Sequence, residues 1–348
     1  MPRWLNCCGI NRKIGDDALK NGNVGFENIL CDKTNICNLR CPFCYNDYGR
    51  INKTVFMDKE TFRKVLTLIP LGRAFLFSCV YEPTLHPDFI GLLEMIPEDL
   101  RDRVFLTTNL TTRLSDETLE KLSKIKLNHI NISLDSFDKS LYEKMRKGAK
   151  FERFMDNLER LVSYFSASAS ASPLRFISLV VKSNINEFPS LVEKCATKYL
   201  SSENEIRYIS SEHHSISKEW IEENFPSPDD WEKLKTNLAH VKHKYTLTPP
   251  PAKVSHPFDE NNLSVLANGD IFIFRPREWY KINDIEPYDF AKVIGERDDL
   301  KMQVSALKGR SLFPERREQM VFAGGCRAGP KVFLLLRQGR GGRLRPPD

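Results

Sequence analysis

The sequence has no long hydrophobic run. Its longest uninterrupted apolar stretch is 332–336, VFLLL, far below the roughly 20 residues that cross a bilayer as a helix. The first residues, MPRWLNCCGINRK, also lack the apolar stretch of a secretory signal. These absences predict a cytoplasmic protein with no membrane partner. In that compartment, nine cysteines are better explained as metal ligands or plain thiols than as disulfides.

Excess charge is nearly absent from most of the chain. The net charge of the 348 residues is +6, but 327–348 alone carry +5. This Gly- and Arg-rich segment is predicted to be a disordered basic tail. Because the remaining residues are almost neutral, the charge gives no support for a nucleic-acid partner. Their composition, with 41% hydrophobic and 28% charged residues over the whole sequence, is typical of a globular protein.

Strand-like apolar runs alternate with amphipathic helical patterns along the chain. Repeated alternation of this kind predicts βαβ units and a parallel sheet, either open or rolled into a barrel. Such sheets carry their chemistry at the carboxyl ends of the strands. The predicted strands are 26–31, 74–80, 104–107, 129–134, 174–181 and 205–209, and the predicted helices are 59–68, 89–95, 115–125, 151–164 and 187–199.

The pattern also predicts domain boundaries. The core is predicted over 25–212, after an N-terminal extension, 1–24. The alternation stops in the proline-rich segment 213–262, which is predicted to be a linker with one helix. Two β-type runs then flank Asn268 and Gly269, which is a hairpin signal. They open a second, small domain over 263–326, followed by the tail over 327–348.

Three cysteines, Cys37, Cys41 and Cys44, lie close together in the segment TNICNLRCPFCYN. This CxxxCxxC spacing would place them on one face of a helix, but Pro42 disfavours a helix and favours a loop. A structural zinc site normally has four protein ligands, and no second cysteine pair lies nearby. An iron–sulfur cube held by three thiolates leaves one iron open to another ligand. Zinc and iron–sulfur both remain open on spacing alone.

The cysteine segment, with Phe43 before its third cysteine, resembles the signature of the radical S-adenosylmethionine (SAM) superfamily. The resemblance implies an α/β fold, a partial (β/α)6 TIM-like barrel with a small C-terminal α+β extension. It also implies one 4Fe-4S cluster held by Cys37, Cys41 and Cys44, with SAM bound at the open iron. In that family the cluster cleaves SAM reductively to methionine and a 5′-deoxyadenosyl radical, which abstracts hydrogen from a substrate.

Segments at the ends of the following strands resemble further elements of the family. The YEP segment is similar to its Gly-Gly-Glu-Pro element, which binds the SAM amino group, and TTNL is similar to its TTNG segment. SLD and the YxxxR that follows resemble elements that face the SAM ribose and carboxylate. The resemblance thus implies cofactor-binding roles for Phe43, Glu82, Thr108, Asn109, Ser133, Asp135 and Arg146, and an approach to the adenine or substrate by Lys182 and Asn184.

The segments LSVLANGDIFIF, FAKVIGERDDL and GGCRAG are similar to a SPASM or twitch extension. Only Cys326 lies in this region, so we expect no auxiliary cluster. The resemblance implies an enzyme whose substrate is a ribosomally made peptide or a sugar-type metabolite. It implies a reductase such as flavodoxin or ferredoxin as electron donor. The alternative is a catalytically inactive metal- or SAM-binding protein that retains the fold.

Overall fold

A computed structural model of the protein shows an unclosed, largely parallel sheet with helices. It describes residues 26–44, 53–78, 80–169, 171–208, 216–248, 262–274, 289–292, 321–322 and 333–334. The strands are β1 (Phe26–Cys31), β2 (Gly72–Leu76), β3 (Val104–Thr108), β4 (His129–Ser133), β5 (Leu174–Leu179), β6 (Ser201–Arg207), β7 (Tyr245–Thr248), β8 (Asn262–Val265), β9 (Asp270–Phe274), β10 (Asp289–Lys292), β11 (Val321–Phe322) and β12 (Phe333–Leu334). The α-helices are α1 (Lys59–Leu66), α2 (Phe89–Glu94), α3 (Asp116–Lys124), α4 (Lys139–Met145), α5 (Phe151–Ala167), α6 (Phe188–Lys198), α7 (Lys218–Asn224) and α8 (Pro228–Leu238).

Ten of these strands form one sheet, in the order β10-β9-β8-β1-β2-β3-β4-β5-β6-β7. Neighbouring strands from β1 to β7 are parallel, and β8 is also parallel to β1. The β9 strand pairs antiparallel with β8 and with β10. The predicted α/β fold with an unclosed, TIM-like parallel sheet is therefore confirmed. The carboxyl ends of β1 to β8 all lie at one edge of this sheet.

The region predicted to be a linker with one helix is more structured than expected. It contains two helices, α7 and α8, and β7, which joins the sheet beside β6. The hairpin predicted around Asn268 and Gly269 is confirmed as β8 and β9. It does not stand apart from the sheet, because β8 pairs with β1. The division into domains stays a prediction, since 1–24 and most of 275–348 lie outside the described residues.

Local hydrogen bonds explain where several helices begin. Asp58 precedes α1 and accepts the backbone N–H of Thr61 at 2.8 Å. Ser115, the predicted N-cap of α3, accepts the N–H of Thr118 at 3.1 Å. Each cap satisfies a backbone donor that has no partner inside its own helix.

The two faces of the sheet have different packing. Ile29 of β1 and Ile130 of β4 belong to a large buried cluster that also includes helix residues such as Leu158. We call this side the helix-facing side. Ala74 and Phe105 form a separate small cluster, on the opposite side, which we call the interior face. In the part of the chain that the structure describes, no helix is long and apolar enough to cross a membrane.

Leu200 joins α6 to β6 in a left-handed backbone conformation, with φ of 55°. Its side chain is 44% exposed, so little burial offsets the clash between its Cβ and the backbone. We expect Leu200→Gly to raise the free energy of unfolding by up to about 1 kcal/mol, because glycine relieves a cost of about 1–2 kcal/mol but loses more chain entropy. Urea unfolding followed by circular dichroism measures the change. Leu200→Ala is the control, because alanine keeps the Cβ. A glycine variant no more stable than the alanine variant would contradict this account.

Candidate functional site

The three predicted cysteine ligands lie on the loop that follows β1. Cys37, Cys41 and Cys44 are half-buried, and none of them forms a disulfide among the described residues. The loop closes through a hydrogen bond from the N–H of Cys44 to the carbonyl of Cys41 at 3.0 Å. Arg40 donates from Nη1 to the carbonyls of Cys37 and Leu39, each at 2.8 Å. The segment is a loop, as predicted from its proline, and we call residues 32–44 the cluster loop.

The chemistry of these donors fits an iron–sulfur cluster. Burial raises the pKa of Cys41 to about 12; Arg146 lowers it, and Cys44, Asp135 and Cys37 raise it. Metal binding would displace the thiol proton. No group of three Cys, His, Asp or Glu residues among those described converges on a single metal ion. In an iron–sulfur cube each thiolate binds a separate iron.

Asn109, at the end of β3, contacts the cluster loop directly. Its Nδ2 lies 3.7 Å from Sγ of Cys37 and donates to Oδ1 of Asn38 at 3.0 Å. Asn38 in turn donates to Oγ1 of Thr111 at 2.8 Å. The fold thus brings Asn109, predicted to bind the cofactor, next to the predicted metal ligand Cys37, and Asn38 and Thr111 are partners that the sequence did not indicate.

Glu82 lies beside Asn109, buried to 3% exposure. One carboxylate oxygen accepts from the N–H of Asn109 at 2.7 Å. The other accepts from the hydroxyls of Thr108 and Thr84, at 2.7 and 2.6 Å, and from the N–H of Thr84 at 3.2 Å. Burial raises the pKa of the Glu82 carboxyl, whereas these hydrogen bonds lower it, and the rise prevails. Both oxygens are therefore engaged by the loops after β2 and β3.

A second group of predicted residues meets at the end of β4. Ser133, the last residue of β4, is half-buried. Asp135 is fully buried, accepting the N–H of Leu179 at 2.8 Å and pairing with Nε of Arg146 at 2.8 Å. Burial lowers the pKa of Arg146, but Asp135, Cys41 and Tyr142 together raise it more, so the guanidinium stays charged. The guanidinium carbon of Arg146, Cζ, lies 5.9 Å from the ring centre of Phe43. Arg146 thereby connects the β4 end to the cluster loop.

Phe43 packs against residues that the motif comparison did not point to. It belongs to a small apolar cluster with Met145, Ile216 and Phe225, and its ring centre lies 5.9 Å from that of Trp220 on α7. Ile216, Trp220 and Phe225 all come from the segment between β6 and β7. No local sequence signal places that segment over the cluster loop, because the contact depends on long-range packing.

The two residues predicted at the end of β5 have different positions. Asn184 is buried and donates to the carbonyls of Asp135 and Leu179, at 3.0 and 2.8 Å, so it ties β4 to β5. Lys182 is exposed, and its Nζ donates to the carbonyl of Glu222 at 2.8 Å. In this structure the Lys182 ammonium contacts α7, and Asn184 supports the Asp135 loop.

Two backbone positions at the site have positive φ. Leu110 stands where the family segment has glycine, is fully buried, and has φ of 56°. The leucine therefore adopts the left-handed conformation that glycine adopts without steric cost. Gly148 lies two residues after Arg146 and has φ of 99°. A Cβ at this position would lie 3.3 Å from the carbonyl oxygen of Asn38. The carbonyl of the neighbouring Lys147 accepts the backbone N–H of Arg40 at 2.8 Å.

Comparison with known proteins agrees with this geometry. Residues 32–181 match the family described as the radical SAM superfamily. The chain is 29% identical over 163 residues to a probable GTP 3′,8-cyclase of Methanocaldococcus jannaschii, a match covering 47% of this chain and 52% of that protein. It is 28% identical over 161 residues to the GTP 3′,8-cyclase of Chlorobaculum tepidum, covering 46% and 47%. The chain thus spans about half the length of these curated relatives.

Solved structures share the fold. The crystal structure of Streptococcus suis SuiB bound to S-adenosylmethionine has a TM-score of 0.56 and 17% identity, covering 81% of this chain and 67% of that one. SuiB bound to its precursor peptide SuiA has a TM-score of 0.57, covering 83% and 67%. The family uses a 4Fe-4S cluster and SAM as cofactors. The family match spans the cluster loop and the strands that follow it, so residues 32–181 are a radical SAM domain.

Proposed function

We propose that this chain is a radical SAM enzyme that holds one 4Fe-4S cluster through Cys37, Cys41 and Cys44. The observation that carries the proposal is the contact of the cluster loop with Asn109 and Arg146, which follow two successive strands. When bound, the cluster and SAM supply reductive cleavage of SAM and abstraction of hydrogen from a substrate. The chain contributes the thiol ligands, the SAM-binding side chains and a sheet edge on which a substrate is held.

The proposed SAM-binding residues lie at the ends of the strands and on the cluster loop. Thr108, Asn109 and Ser133 present short polar side chains at strand ends, suited to ribose hydroxyls. Arg146 would hold the SAM carboxylate, with Asp135 fixing the guanidinium through its Nε. Glu82 belongs to the same site, where its hydrogen bonds to Thr108 and Asn109 orient both residues. Phe43 borders the site from the cluster loop.

The substrate is proposed at the level of class. The SPASM-like C-terminal segments favour a ribosomally made peptide or a sugar-type metabolite, and the names of the relatives add a guanine nucleotide. A reductase such as flavodoxin or ferredoxin would deliver the electron. Because only Cys326 lies in 263–326, we propose a single cluster, so that reconstituted protein holds about four irons per chain.

The cysteine ligands are tested by single substitution. We expect Cys37→Ala, Cys41→Ala and Cys44→Ala each to abolish the brown iron–sulfur absorbance and SAM cleavage together, because a cube held by three thiolates has none to spare. Iron content, absorbance and 5′-deoxyadenosine are measured after anaerobic reconstitution. Cys195→Ala is the control, because this buried thiol of α6 belongs to the core and should leave iron binding intact.

The same measurements separate the proposal from its alternatives. Wild-type protein that binds zinc stoichiometrically and forms no 5′-deoxyadenosine would contradict it. Protein that holds the cluster and SAM without cleaving SAM would instead be an inactive binding protein.

The role of Arg146 is tested by Arg146→Lys. Lysine keeps the charge but loses the planar fork that suits a carboxylate. We expect the dissociation constant for SAM to rise about tenfold or more, with iron content unchanged. The control is Lys144→Gln, since Lys144 is exposed and pairs with Glu223 at 2.9 Å. Unchanged SAM affinity in Arg146→Lys would show that Arg146 only supports the loop.

The backbone at Gly148 is tested by Gly148→Ala. A Cβ at this φ strains the backbone by about 1–2 kcal/mol and presses on the carbonyl of Asn38. We therefore expect a lower iron content after reconstitution. Gly269→Ala is the matched control, because Gly269 has a similar φ of 86° in the β8–β9 hairpin. Equal iron loss in both variants would attribute the effect to general destabilisation.

A further inference from the structure

The helix α7 packs against the cluster loop. Trp220 of α7 lies beside Phe43, with 5.9 Å between the ring centres and 52° between the ring planes. Cys41 packs against the same apolar cluster. One of the three proposed cluster ligands therefore borders apolar side chains from the segment between β6 and β7. We call these side chains the α7 wall, and they are Ile216, Trp220, Ile221 and Phe225.

Aromatic contacts support the α7 wall from behind. The rings of Trp220 and Phe225 meet edge to face, 5.7 Å apart. Phe225 lies 6.0 Å from Tyr208, which in turn lies 5.7 Å from Trp231 of α8. Aromatic pairs at these separations attract one another beyond the gain from burial alone. Trp220 is thus one ring of a packed series that runs from Phe43 of the cluster loop to α8.

Polar contacts fix the backbone of α7. The N–H and Nζ of Lys182 donate to the carbonyls of Asn224 and Glu222, at 2.9 and 2.8 Å. Lys144 of α4 pairs with Glu223 at 2.9 Å. These contacts join α7 to the segment after β5 and to α4. The position of Trp220 is therefore fixed from outside the cluster loop.

Apolar surroundings make a negative charge costly. Three thiolates already give a cluster negative charge, and reduction adds one more. The apolar shell around a metal site controls the access of water and thereby its reduction potential. An apolar wall against Cys41 therefore lowers the potential, whereas the charge of Arg146 raises it. A low potential is what reductive cleavage of SAM requires of the cluster.

We propose that the α7 wall keeps water from the Cys41 side of the cluster, and that Trp220 is the positioning residue that holds the reduction potential low. This inference rests on the proposed function and adds a residue that no motif of the family marks. Trp220 acts through Phe43 and Cys41, which it packs against. The role calls for a large apolar ring, so phenylalanine should serve in its place and glutamine should not.

The reduction potential gives the first test, on full-length, reconstituted protein. It is measured by dithionite titration followed by electron paramagnetic resonance. We expect Trp220→Gln to raise the potential by about 59 mV or more, which is a tenfold change in the equilibrium constant of a one-electron reduction. We expect Trp220→Phe to keep the wild-type value. Tyr164→Gln is the control, because Tyr164 is also a half-buried aromatic residue but packs against the main core.

Three results would overturn the proposal. The first is a wild-type potential in Trp220→Gln. The second is an equal rise in Trp220→Phe, since an apolar ring would then not be enough. The third is an equal rise in Tyr164→Gln, since loosening anywhere in the fold would then have the same effect.

Thiol reactivity gives the second test, on full-length protein before reconstitution. Because Cys41 packs against the α7 wall, removing the Trp220 ring should open it to solvent. We expect iodoacetamide to alkylate Cys41 about tenfold faster in Trp220→Gln than in the wild type or Trp220→Phe, as followed by mass spectrometry. The internal reference is Cys195, which is fully buried in the core. Equal rates at Cys41 in all three proteins contradict the wall, as does a parallel rise at Cys195.

The two proposals fail separately. Iron content and SAM cleavage, measured on the wild type, report on the proposed function. The alkylation rates report on the α7 wall whether or not the protein takes up iron.

Discussion

A single buried residue, Glu82, holds together the loops after the first three strands. Its backbone N–H donates to the carbonyl of Ile36 in the cluster loop at 3.2 Å, and its side chain binds Thr108 and Asn109 after β3. Burying a carboxylate is expensive unless several donors surround it. Here the donors come from separate loops, so the free energy that stabilises the charge also fixes the position of Asn109 beside Cys37.

Asp135 likewise connects the segments at the ends of the next two strands, β4 and β5. Its two oxygens join the N–H of Leu179, the last residue of β5, to Arg146, which follows α4. Arg146 then lies over Phe43 of the cluster loop. The cluster loop is therefore held from two sides by two buried acids, and these contacts give the loop a defined shape.

Local sequence signals predicted the elements whose chemistry is local. The CxxxCxxC loop, the Ser115 cap and the turn at Asn268 and Gly269 each depend on a few adjacent residues, and each is found where expected. The pairing of β8 with β1 and the packing of Trp220 against Phe43 were not predicted. Both join segments far apart in sequence, where periodicity carries no information about partners.

At the candidate site, too, the sequence motifs indicated the residues but not the contacts between them. The residues of the strand-end motifs were predicted by type and order, but their hydrogen-bond partners were not. Thr84 is a partner of Glu82 that no motif marks. Leu110 stands where the motif has glycine and has φ of 56°, a left-handed conformation that glycine adopts without steric cost. The sequence shows only that the glycine is replaced, whereas the structure shows that leucine holds a left-handed backbone there at a steric cost.

The pairing of β8 with β1 has a consequence for the order in which the protein is made. The strand that leads into the cluster loop is among the earliest described residues of the chain, yet one of its two neighbours is Asn262–Val265. Asn28 and Asn262, which are 234 residues apart, bond across this pair. Loop closure over such a distance is slow compared with local folding. During synthesis, β1 therefore keeps an open edge until residue 265 has left the ribosome, and the cluster-bearing end of the sheet is completed last.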